Sequence, residues 1–124
     1  QDEVIMNPLR RIGEGKKSVI EIYESGYITP VQRTDIKVLG RSALGALLAG
    51  INGMVRGNYA TDHDAVVARK LAYVMCGGDL SEPTLVSEQY RLDLEREAFL
   101  SVCGEKKTLE RIQSVLKSGK PIRN

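Results

Sequence analysis

The residues able to do chemistry in this chain are few, and most stand apart from one another. The single histidine, His63, lies between Asp62 and Asp64 in the run Thr61-Asp-His-Asp64. A metal site needs more ligands than this, and on a helix the two aspartates point to different faces, so no metal is expected. No nucleophile–base–acid triad can be assembled around His63 either. Thr61 followed by carboxylates is instead the pattern of a helix start. The hydroxyl caps free backbone N–H groups, and negative charge is favoured at that end of the helix dipole. His63 then reads as a solvent-exposed residue of a first turn.

The two cysteines, Cys76 and Cys103, each sit in an apolar segment without C-x-x-C spacing. Two buried thiols in a reducing compartment explain them; a disulfide between two helices is the alternative. The carboxylates Glu88, Asp93, Glu95 and Glu97 could pair for acid–base work, but Arg91 and Arg96 are interleaved with them. That alternation reads as a salt-bridged helix face. There is no G-x-G-x-x-G and no Walker loop. Gly77-Gly78 follows a helical stretch rather than preceding one, so it is a stop and not a phosphate cradle.

The last twenty residues are basic. Lys106, Lys107, Arg111, Lys117, Lys120 and Arg123 face only Glu105 and Glu110. Such a tail suits phosphate groups; the other reading is a solvated helix face whose charge complements the helix dipole. Net charge over the whole chain is only +2, so no long-range field draws it to nucleic acid. A helix-turn-helix reading of the last two helices fails because the final one lacks a base-reading array of Asn, Gln and Arg.

The elements that would position these groups are helical. Residues 1–13 lack a period and read as a linker or the remnant of a preceding core. Residues 15–25 carry the stripe Val19, Ile20, Ile22 and Tyr23, closed by Gly26. From Tyr27 to Gly40 the pattern breaks into an irregular extended connector around Pro30, with a strand-like stretch at Ile36–Leu39. Ser42 is expected to cap a strong helix with Leu44, Leu47, Leu48, Ile51, Met54 and Val55 inward, ending at Gly57. Its Gly45, Gly50 and Gly53 imply close approach of a neighbouring helix. Thr61 opens the next helix, with Val67, Leu71, Val74 and Met75 as its buried face. Residues 79–86 are a loop. Ser87 caps a fourth helix with Tyr90, Leu94, Ala98 and Val102 on one side. After Gly104 comes a fifth, near Lys106–Ser118, with Leu109, Ile112, Val115 and Leu116 inward. The fold expected is all-α: about five helices in a small bundle, with residues 14–124 forming a helical C-terminal domain of a larger chain. The start at Gln1 rather than Met agrees with a piece cut from something longer. No signal peptide is visible, no apolar run is long enough for a membrane span, and cytoplasmic placement is expected.

The segments Tyr59-Ala-Thr-Asp-His-Asp64, Lys70-Leu-Ala-Tyr-Val-Met-Cys-Gly-Gly-Asp79, Leu94-Glu-Arg-Glu-Ala-Phe-Leu100 and Gly119-Lys-Pro-Ile-Arg-Asn124 resemble the extreme C-terminus of a bacterial family. These are long bifunctional 3-hydroxyacyl-CoA dehydrogenase/enoyl-CoA hydratase proteins, with a crotonase-like part last. Tyr23-Glu-Ser-Gly-Tyr-Ile-Thr-Pro30 and Val38-Leu-Gly40 also fit, so the resemblance covers nearly the whole chain. It implies a fatty-acid β-oxidation enzyme whose NAD fingerprint, catalytic His–Glu pair and thioester oxyanion hole all lie upstream. It implies no catalytic residue and no cofactor within this chain. Its partners would be the rest of the parent enzyme, acyl-CoA at the parent active site and further copies in a homo-oligomer. In crotonases the last helices form a lid and part of an oligomer interface. On that analogy Lys120 matches the basic position of the Lys-Pro ending and, with Lys117, would lie near the CoA phosphates. The alternative function is a free-standing helical interaction module that docks a partner along the Leu44–Val55 stripe.

Overall fold

The computed structural model describes residues 4–124. It divides into two compact units, Gln1–Val31 and Gln32–Asn124. In the first, Asn7 caps a 3-10 turn at Pro8–Arg10 through its side chain, with Pro at the turn's start. Helix α1 (Arg11–Glu24) follows directly. Helical structure therefore begins inside the stretch expected to be a linker; residues 1–3 of that stretch lie outside the described residues. No residue of α1 is buried.

The second unit holds β1 (Ile36–Val38), α2 (Gly40–Arg56), α3 (Asp62–Cys76), β2 (Thr84–Val86), α4 (Glu88–Cys103) and α5 (Lys106–Ser118). Among the described residues the fold is five α-helices and one small sheet, a mostly helical domain as expected. The sheet pairs β1 antiparallel with β2, Lys37 opposite Leu85 and Val38 opposite Thr84. The segment 79–86 is therefore not all loop. Three-residue strands cannot establish an alternation period, and their pairing joins segments far apart in sequence, so local pattern could not reveal it.

Helix α3 is the centre of this unit and packs on both α2 and α4. Its buried residues are His63, Ala65, Ala72, Val74 and Cys76. At about 100° per residue, Ala65, Ala72 and Cys76 share one side and His63 and Val74 the opposite side. The expected face was different: of Val67, Leu71, Val74 and Met75, only Val74 is buried, and Leu71 stays 59% exposed. A helix buried on two sides does not show a single stripe, and its inward alanines carry no strong signal. Helix α5 departs further. Leu109, Ile112, Val115 and Leu116 all remain exposed rather than inward, because α5 is held by polar contacts along its other side.

The glycines also divide. Gly45, Gly50 and Gly53 have no neighbour within 4 Å of where a Cβ would stand, so α2 is not approached closely there. The close approaches are at Gly40 and Gly77. Gly40 has φ +68°, and a Cβ would meet the Glu82 backbone at 2.8 Å; α2 starts here, with Leu39 before it, and not at Ser42. Gly77 ends α3 in the left-handed region at φ +86°, and a Cβ would meet Val38 Cγ2 at 2.6 Å. Val38 is fully buried, so the glycine that stops α3 also admits the sheet to the core.

Candidate functional site

The first place where functional groups converge is the start of α3. Thr61 Oγ1 accepts from the Asp64 N–H at 3.1 Å, and Asp64 Oδ2 accepts from the Thr61 N–H at 2.9 Å, a complete capping box. The other carboxylate oxygen, Oδ1, accepts from Arg111 Nη1 of α5 at 2.7 Å. Arg111 in turn donates from Nε to Asn124 Oδ1 at 2.7 Å and from Nη2 to the Asn124 carbonyl at 3.2 Å. The Asn124 amide donates to Lys107 O and Glu110 Oε2. Thr61's backbone N–H, then Arg111, then the Thr61 side chain hold the Asp64 carboxyl at about 2, below its ordinary 3.8.

His63 belongs to the same latch. It is buried, not the exposed first-turn residue expected, and its Nε2 lies 2.9 Å from Thr108 Oγ1 on α5. The helix turn that places Asp64 towards Arg111 also carries His63 under α5, where the hydroxyl satisfies a ring nitrogen. Two of the six tail cations are thus structural: Arg111 as above, and Arg123, which donates to Tyr59 O at 3.0 Å. No sequence period links Thr61, Asp64, Thr108 and Asn124, so only the tertiary fold reveals this cluster.

Lys117, in the last turn of α5, and Lys120, beyond Gly119, are both exposed. The Lys120 carbonyl accepts from Ser114 Oγ at 2.8 Å, which folds the tail back along α5. Among the described residues neither amine has an ion-pair partner.

The second place is an open apolar groove of about 640 Å³ between α3 and α4. Val67, Leu71, Met75, Leu92 and Phe99 line it, over the buried Val74, Ala98 and Val102. Val67, Leu71 and Met75 belong to the face expected to be buried, but nothing within the described residues covers them. Lys70, Arg91, Glu95 and Arg96 supply its charge. Arg96 is paired to Asp93 at 3.1 Å, so part of the expected salt-bridged face of α4 is present.

Elsewhere, Tyr90 Oη donates to Gly77 O at 3.0 Å, tying α4 to the end of α3. Burial first, then the nearby Asp79 charge, pushes the Tyr73 hydroxyl up. Cys76 and Cys103 are both free thiols, and burial pushes Cys76 up. Among the described residues no group of three or more His, Cys, Asp or Glu could hold a metal ion, and no helix is long and apolar enough to cross a membrane.

Comparison with known proteins places these features in context. Over 123 residues the chain is 40% identical to a Bacillus subtilis (strain 168) protein named "Probable 3-hydroxyacyl-CoA dehydrogenase". The match takes in 99% of this chain and 16% of that protein. No family model matches the chain, and no solved structure matches it.

Proposed function

We propose that this chain is the helical C-terminal segment of a 3-hydroxyacyl-CoA dehydrogenase of fatty-acid β-oxidation, residues 14–124 forming that domain, and that it acts in lid formation and assembly rather than in chemistry. The observation that carries this reading is the proportion of the match: nearly all of this chain aligns, at 40% identity, with a small fraction of a much longer dehydrogenase-named protein. The open α3/α4 groove and the outward apolar side of α5 support it, since large contiguous apolar surface is rarely left to water. In the finer form of the reading, the parent also carries a crotonase-like enoyl-CoA hydratase part, works in the cytoplasm and assembles as a homo-oligomer.

The chain's own residues do not fit a dinucleotide: it lacks a G-x-G-x-x-G loop, so NAD is assigned to the rest of the parent. They do fit part of a CoA. Lys117 and Lys120 present exposed amines, and would hold the CoA phosphates as point charges while the acyl thioester reacts elsewhere.

The test is turnover. The longer reading frame and the 124-residue chain are each purified and supplied with 3-hydroxyacyl-CoA and NAD⁺, and with enoyl-CoA. The long protein is expected to form NADH and the short chain to do neither reaction. Turnover by the short chain, or a long protein without NADH formation, overturns the reading. Lys117→Ala with Lys120→Ala in the long protein is expected to raise KM for acyl-CoA several-fold with kcat little changed.

A further inference from the structure

The groove between α3 and α4 has one feature that a plain apolar face lacks. Among the described residues Arg91, half-buried in the groove wall, has no hydrogen-bond or ion-pair partner for its side chain, and its Nε is buried without an acceptor. A guanidinium in a partly desolvated site demands an acceptor with matching geometry, and a carboxylate supplies one by receiving two parallel N–H groups. The neighbouring charges do not meet that demand: Glu88 and Glu95, one turn before and one turn after it on α4, line a cleft with Arg91 but neither forms an ion pair with it, and Asp93 is taken by Arg96. With Arg96 paired to Asp93, the groove lining leaves two cations, Lys70 and Arg91, against the single carboxylate of Glu95. What is missing is therefore apolar along most of its length and negative at one point.

We propose that this groove seats an amphipathic helix contributed by the remainder of the longer polypeptide, and that the helix brings an Asp or Glu to Arg91. The inference rests on the reading of this chain as a segment of a larger protein. Two packed helices with an apolar trough between them accept a third helix by ridge-into-groove packing. Leu71, Met75, Leu92 and Phe99 take its apolar ridge, and the carboxylate falls over the wall that Arg91 occupies.

The experiment uses the full-length protein with the photoreactive p-benzoylphenylalanine replacing Phe99. After irradiation and digestion, the captured peptide is identified by mass spectrometry. The expected result is an intrachain link to a helical segment carrying an acid beside apolar residues. Arg91→Glu should lower the yield of that link at least ten-fold, and reversing the captured acid to Arg in the same protein should restore it, which simple misfolding would not allow. A link between two copies of the chain overturns the proposal. So does capture of a segment without an acid, no link at all, or a link indifferent to Arg91→Glu. Failure of the underlying reading shows separately: NADH formation by the long protein, measured on the same preparation, survives if only the docking idea is wrong.

Discussion

The α3/α5 latch and the α3/α4 groove sit on the same central helix and are built in opposite ways. The latch is polar and its members bond to one another: Thr61, Asp64, Arg111 and Asn124 form a connected set, with His63 and Thr108 beside them. The groove is apolar and open, with Leu71, Met75 and Phe99 each more than half exposed and Arg91 unpaired. A buried polar network with a missing partner is costly, and a large exposed apolar face is rarely left to water, so the two regions carry different demands. The first turn of α3 is thus satisfied within this chain, whereas the groove along its later turns is left uncovered by the described residues.

The comparison is sharpest at Leu71. Leu71→Asp is expected to change the urea stability of the 124-residue chain by less than about 0.5 kcal/mol, because the side chain already faces water. In the long protein the same change should cost about 3 kcal/mol by burying a charge. Equal small effects in both would break the comparison. Arg111→Ala behaves differently. It removes the Asp64 ion pair and both Asn124 contacts, and should cost about 2 kcal/mol in the short chain and the long one alike, read from urea midpoints. Thr61→Ala takes away one half of the capping box and should lower stability by about 1 kcal/mol.

Acid gives the smallest and most specific signal. Asp64 is held at about 2 in the fold against an ordinary 3.8, so its contribution is complete above the ordinary value and disappears as pH falls through 2. The carboxylate side chain is about one-third exposed, and solvent screening brings the expected loss to about 1 kcal/mol. Arg111→Ala should remove part of this acid dependence. Urea titrations of both proteins at pH 5 and pH 2.5 check it, with about a third of the contribution still present at the lower pH because it lies above the folded value.

Much of the helical layout was legible in the sequence because its signals are local. Thr61 and Ser87 do cap α3 and α4, Gly77 and Gly119 do end helices in the left-handed region, and α5 spans the expected residues. What was not legible depends on tertiary placement. His63 looks exposed beside two aspartates, and only the position of Thr108 makes it buried. The stripes of α3 and α5 mark surface able to be buried, but not where the covering partner lies. The two short strands pair beside two close approaches that local pattern does not show, the Glu82 backbone at Gly40 and the Val38 side chain at Gly77. Lys117 and Lys120, selected by resemblance, are accessible; Arg111 and Arg123, equally basic in the sequence, are committed to the fold.

The account stands most directly on whether the groove is covered in the long protein. Carbene footprinting of the 124-residue chain and of the full-length protein, read at Leu71, Met75 and Phe99, measures this. The account predicts strong labelling of all three in the short chain and at least several-fold protection in the long one, with the Thr61–Asp64 turn labelled alike in both. Equal labelling of the three groove residues in the two proteins would contradict it.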